Sequence, residues 1–324
     1  MEQRRLGRGG PLVSAIGLGC MGMSEFYGPT DEGEAVATIH RALDTGVTLF
    51  DTADMYGPYT NEEFVGRALA GRRHQVFLAS KFGVVRGTDP GARRVDSSPQ
   101  YAKRACEASL RRLDVDHLDL YYLHRRNPDV PIEETVGAMA ELVAEGKVRH
   151  LGLSEVNART LRRACAAGPI AALQSEYSLC TRGLERDILP AARELGVALV
   201  PYSPLGRGLL TGTLTSVDEL APDDIRRGQP RFRGANLLAN LRLVQRVRAL
   251  AVDIGCTPAQ LALAWVLAQG DTVIPIPGMR RRAHLEENIG ALAVTLTDAQ
   301  LRSITAAIPE AEGDRAPDLS RLEK

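Results

Sequence analysis

An apolar, β-branched run, VTLFDTADMYG (47–57), ends in an acid, Asp51, and a phenol, Tyr56, follows in the adjoining stretch. Two further runs end in chemistry: FLASK (77–81) in Lys81 and YYLH (121–124) in His124. Each residue alone has an ordinary use as a turn cap, a packed loop tyrosine, a solvated ammonium or a core histidine. Together they make a proton-delivery set. A phenol with its usual pKa near ~10 is a poor acid at neutral pH, and a neighbouring ammonium stabilises its phenolate and draws that pKa down. A carboxylate would hold the ammonium, and an imidazole would orient or polarise a carbonyl oxygen beside the phenol.

Such residues meet only if the elements that carry them place strand ends together. Short β-rich runs recur at 14–19, 47–51, 76–80, 118–124, 148–154, 171–176, 197–203 and 272–277, and segments of helical spacing lie between them. Ser98-Pro99 reads as a capped helix start, and DEGEAVATIHRALDTG (31–46) opens with acids and closes on Gly46. Eight strand–helix repeats predict a (β/α)8 TIM barrel, in which active-site groups stand at the C-terminal strand ends. The surplus length predicts an N-terminal β-hairpin around Gly9-Gly10 that closes the barrel floor, and a long functional loop, 204–235, after strand seven. The expected organisation is one barrel domain, 1–311, and a mobile C-terminal tail, 312–324. Trp265, among apolar residues of helical period, is expected in the core.

Composition narrows the class. The 324 residues are 44% hydrophobic and 25% charged, and 40 basic residues balance 40 acidic ones. No overall field favours nucleic acid or an anionic membrane. Five scattered cysteines without a Cys-x-x-Cys pair argue against a disulfide framework and a zinc site, so no metal is expected. The N-terminus has no apolar signal region and no run approaches the roughly 20 residues of a membrane span, which points to a cytoplasmic protein. GLGCMG (17–22) imitates the G-x-G-x-x-G of a dinucleotide-binding domain, but Gly28-Pro29 stops any helix begun there. These glycines are expected instead to let a ligand come close.

From RRLG (4–7) to HLEENIG (284–290) the chain resembles the aldo-keto reductase superfamily, with FDTADMYG (50–57) the most specific stretch. The resemblance implies Asp51, Tyr56, Lys81 and His124 as a catalytic tetrad. It implies NADPH-dependent reduction of small aldehydes or ketones to alcohols, with hydride transfer and Tyr56 as general acid. For the cofactor it implies Ser154 and Gln174 at the carboxamide, Tyr202 stacked on the nicotinamide, and Ser203, Leu205, Arg207 and Gly208 in the loop over the pyrophosphate. Met21, Ile276, Gly278 and Met279 complete the cleft, Arg280 meets the 2′-phosphate near His284, and Glu287 and Asn288 meet the adenine. Glu155 replaces the usual asparagine after Ser154, with its carboxylate offered to the amide NH2, and His284 stands where many relatives carry arginine. The family also resembles the β-subunits of voltage-gated potassium channels, so the alternative is a cofactor-binding regulatory subunit.

Overall fold

The computed structural model describes residues 1–87, 93–320 and 322–323. The chain opens with a hairpin: β1 (Gln3–Arg5) pairs antiparallel with β2 (Leu12–Ser14), Gln3 opposite Ser14. Its turn uses left-handed backbone at Gly7 and Gly9, which glycine adopts without a Cβ clash. Leu6 and Val13 are fully buried against inward-facing Leu49, Ala79, Leu120, Ala172 and Ala198, so the hairpin stoppers the barrel floor with apolar side chains.

Above it, β3 (Leu18–Gly19), β4 (Leu49–Asp51) and β5 (Phe77–Phe82) begin a parallel sheet. A second hairpin, β6 (Val84–Arg86) with β7 (Arg93–Val95), rises from the end of β5; the sequence had given no sign of it. The sheet continues through β8 (Leu118–Leu123), β9 (Val148–Ser154), β10 (Ile170–Glu176) and β11 (Ala198–Tyr202), in the order β3-β4-β5-β8-β9-β10-β11.

The eighth position is occupied by 272–278, which has no regular ladder. Pro275 and Pro277 have no N–H to donate, which denies this segment an ordinary strand. It still closes the ring. Ile274 and Ile276 donate to the Leu199 and Pro201 carbonyls (2.9 and 3.0 Å), while the Pro275 and Pro277 carbonyls accept from Gly17 and Gly19 (2.9 and 3.1 Å). A Cβ at Gly17 would meet the Ile276 side chain at 2.8 Å, and one at Gly19 the Ile276 carbonyl at 2.9 Å. These two glycines therefore admit the closing segment, which corrects the reading of Gly17 as a ligand-approach residue.

Helices α1 (Glu32–Asp44), α2 (Thr60–Leu69), α3 (Pro99–Leu113), α4 (Ile132–Ala144), α5 (Ala158–Ala167) and α6 (Ile188–Leu195) cover the sheet. Asp31 caps α1 and Ser98 caps α3, each side chain accepting from a backbone N–H of the first turn. Beyond β11 come α7 (Gly234–Ile254), α8 (Pro258–Leu267), α9 (Arg282–Ile289) and α10 (Asp298–Ala307). Trp265 on α8 is buried, its Nε1 donating to Thr305 Oγ1 at 2.8 Å. No single helix among the described residues is long and apolar enough to cross a membrane.

Two irregular segments lie over the C-terminal strand ends. The stretch between β11 and α7 is a chain of short 3-10 turns, tied to the loop after β3 where the Ile225 N–H donates to the Phe26 carbonyl at 2.9 Å. The described part of 312–324 also meets the barrel. The Glu312 N–H donates to Asn240 Oδ1 at 2.8 Å, Arg315 pairs with Glu155, and Glu323 pairs with Arg126.

Candidate active site

Asp51 is the last residue of β4, Lys81 the penultimate residue of β5, and His124 follows β8 directly, its N–H on the Phe82 carbonyl at 2.7 Å. In-register parallel pairing brings these three strand ends to one level. Tyr56 comes from the turn after β4, where Gly57 has φ +78° and a Cβ there would strike Thr60 Oγ1. Asn61 pins the turn: it accepts from Thr52 Oγ1 (2.6 Å) and donates to the Cys20 carbonyl (3.0 Å) and Ser24 Oγ (2.7 Å).

Lys81 is completely buried beneath the other three. Its Nζ donates to Asp51 Oδ1 and to the Thr52 carbonyl (2.7 Å), and lies 5.1 Å from the centre of the Tyr56 ring. His124 meets the Tyr56 ring edge-on, with 5.8 Å between centroids. Burial works against charge on Lys81, but Asp51 and Tyr56 outweigh it and hold the ammonium above the ordinary lysine pKa. Burial also dominates at Tyr56 and raises the phenol, while Lys81 opposes that rise through its charge and a hydrogen bond. The phenol is thus kept protonated, and the sequence expectation of a net downward shift is corrected: the ammonium limits the rise without reversing it. His124 is driven well below the usual histidine range by burial first, then by the charges of Arg125, Lys81 and Arg93. It is a neutral imidazole at neutral pH, able to donate one N–H.

A single cavity of about 1040 Å³ runs from this cluster to the start of α9. Asp51, Tyr56 and His124 line it, and Lys81 backs it from inside the wall. The expected cofactor residues line it too. Met21 comes from the loop after β3, Ser154 and Gln174 from the ends of β9 and β10, Tyr202 from β11, and Ser203, Leu205, Arg207 and Gly208 from the following turn. Ile276 and Gly278 come from the closing segment, Met279 and Arg280 from the link that follows it, and His284, Glu287 and Asn288 from α9. Among the described residues no group of His, Cys, Asp and Glu is arranged to hold a metal ion.

Several side chains have partners that the sequence did not suggest. Gln174 turns its amide nitrogen to Asp51 Oδ2 at 2.8 Å. Glu155, in left-handed backbone with φ +56°, accepts from the Glu176 N–H (2.9 Å) and from two nitrogens of Arg315. Burial would raise its pKa, but the Arg315 hydrogen bond and charge prevail and hold Glu155 ionised. Arg280 donates to the Tyr27, Gly28 and Pro29 carbonyls and to Thr30 Oγ1 at 2.8–3.1 Å. Among the cavity-lining residues that the sequence did not single out are Arg93, Arg226 and Arg315. Arg315, 160 positions from Glu155, carried no local signal.

The cavity suits a phosphorylated ligand at its far end. Arg207 is held in left-handed backbone between Gly206 and Gly208, and its Nε is buried without a partner among the described residues. An orphaned guanidinium nitrogen flanked by glycine backbone is a ready anion seat.

The chain is similar to known proteins in sequence and in fold. A family model described as aldo/keto reductase matches residues 15–309. The Schizosaccharomyces pombe protein named aldo-keto reductase yakc, with NADP(+) in its name, is 44% identical over 95% of this chain and 93% of its own. The glycerol dehydrogenase of Gluconobacter oxydans superposes with a TM-score of 0.85 at 32% identity, covering 94% of both chains. A Klebsiella pneumoniae aldo/keto reductase solved with NADP and acetate superposes with a TM-score of 0.74 at 31% identity, covering 98% of this chain and 99% of its own.

Proposed function

The chain belongs to the aldo/keto reductase family, and we propose that it reduces aldehydes or ketones to alcohols with NADPH, using Tyr56 as the acid. The observation that carries this reading is the buried Lys81, bonded to Asp51 and set against the Tyr56 ring on the wall of the large cavity. The NADP of the yeast and Klebsiella relatives fits the residues present here. Arg207 and the Gly206–Gly208 backbone would hold the pyrophosphate, Arg280 the 2′-phosphate, Tyr202 the nicotinamide face, and Ser154 its carboxamide. When bound, the cofactor supplies the hydride.

The chain's own residues then handle the proton. The neutral His124 imidazole donates a hydrogen bond that orients the carbonyl oxygen toward Tyr56. Tyr56 releases its hydroxyl proton to that oxygen as negative charge develops there. Lys81, charged and pre-placed, stabilises the phenolate left behind, and water reorganisation is avoided because the ammonium is buried. Asp51 touches no reacting atom; it keeps Lys81 charged and aimed, and Gln174 steadies Asp51 from the other side. Glu155, being ion-paired to Arg315, is a structural tie for the C-terminal segment and supplies no carboxamide contact in this arrangement.

The test is a carbonyl panel followed by consumption of NADPH and, in parallel, NADH, with wild type and Tyr56→Phe. Wild type should turn over with NADPH preferred, and Tyr56→Phe should bind NADPH nearly as well while kcat falls on the order of 10²-fold or more. Equal turnover by the phenylalanine variant would remove Tyr56 from the acid role. Intact NADPH binding with negligible turnover across the panel would move the protein to the cofactor-binding regulatory reading.

A further inference from the structure

Arg125 follows His124 and its half-buried guanidinium lines the same cavity. Nη1 donates to the His124 carbonyl (2.6 Å) and to Ser154 Oγ (3.1 Å). Among the described residues no carboxylate pairs with Arg125, and its side-chain hydrogen bonds are made through Nη1. Its neighbours differ. Arg126 pairs with Glu323, Arg315 with Glu155, and Arg93 lies 5.6 Å over the Phe26 ring. The acids close by, Glu155 and Glu176, are engaged by Arg315 and Arg231. The charge of Arg125 reaches the chemistry, because it helps to depress His124. The buried apolar side chains of Met55 and Val84 line the same cavity.

A buried-edge arginine fixed through one nitrogen presents its remaining N–H groups as a planar fork, and such a fork matches the two oxygens of a carboxylate. We propose that Arg125 binds an acid group carried by the carbonyl substrate, so that the preferred substrates are aldehydes or ketones bearing a carboxylate. This rests on the reductase reading above and narrows it. His124 orients the carbonyl; the next residue in the chain reads the anion.

The experiment compares 2-, 3- and 4-carboxybenzaldehyde with their methyl esters, in wild type, Arg125→Gln and Arg125→Lys. For at least one isomer, wild-type kcat/KM for the acid should exceed that for the ester roughly 10- to 100-fold, mainly through KM, the range expected for a charge-assisted pair. The ratio should collapse toward about one in Arg125→Gln and be partly kept in Arg125→Lys. An acid preference missing from all three pairs would overturn the proposal. So would an unchanged ratio in Arg125→Gln, which would leave Arg125 as a support for His124 and Ser154. Calorimetric binding of benzoate to the NADPH-loaded protein separates this from the reductase reading. Benzoate should bind wild type at least about 10-fold more tightly than Arg125→Gln whether or not any ester is reduced, and equal binding refutes the anion role.

Discussion

Replacing Lys81 by methionine isolates the electrostatic step. Lys81 Nζ stands 5.1 Å from the centre of the Tyr56 ring and is fully buried, so little water screens it. At an effective dielectric of about 20, a unit charge at that separation stabilises a full phenolate by about 3 kcal/mol. Because the transition state carries part of that charge, Lys81→Met should lower kcat/KM roughly 10- to 150-fold. The substitution has a second effect. It leaves the Asp51 carboxylate buried with only Gln174 as donor, and breaking a buried pair costs about 3–5 kcal/mol of stability. The double variant Asp51→Asn/Lys81→Met removes the orphaned charge and separates the two effects. It should unfold at a higher temperature than Lys81→Met yet reduce a neutral aldehyde no faster. Steady-state rates at saturating NADPH and thermal unfolding of the cofactor-free protein read the two quantities. A folded, NADPH-binding Lys81→Met enzyme within about 3-fold of wild type would refute the coupling of Lys81 to Tyr56. Recovery of near wild-type rate in the double variant would refute it too.

Arg280→Ala should weaken NADPH binding roughly 10- to 150-fold and NADH binding much less, measured by titrating both cofactors. Equal losses would mean that Arg280 acts by holding residues 27–30, to which it donates its hydrogen bonds. His124 links stability to acid: the folded chain keeps it neutral below the ordinary value of 6.5, where the unfolded chain takes up a proton. The stability it contributes is therefore present above about pH 6.5 and is lost as pH falls, by about 1.4 kcal/mol per pH unit. Unfolding free energies of wild type and His124→Gln should converge between about pH 7.5 and about pH 5.5; a constant gap would contradict a neutral buried His124.

The alternation of β-rich runs with helical segments, and an acid, a lysine and a histidine at the ends of three of those runs, were legible because both are local patterns. Period and strand end need no knowledge of distant residues. The cap at Ser98 was legible for the same reason, since a cap and its first turn are adjacent in the chain. Tertiary structure decided the rest. The closing of the ring through Pro275 and Pro277 depends on carbonyls that meet Gly17 and Gly19 from the far end of the sequence. The tie of Glu155 to Arg315, which leaves Arg125 without a carboxylate ion pair among the described residues, and the turn of Gln174 toward Asp51 are likewise long-range choices of partner. The direction of the Tyr56 shift could be settled only in the fold, because it is the difference between the desolvation of a buried phenol and the charge of a buried ammonium. Sequence names both groups; only their three-dimensional burial and separation decide which effect is larger.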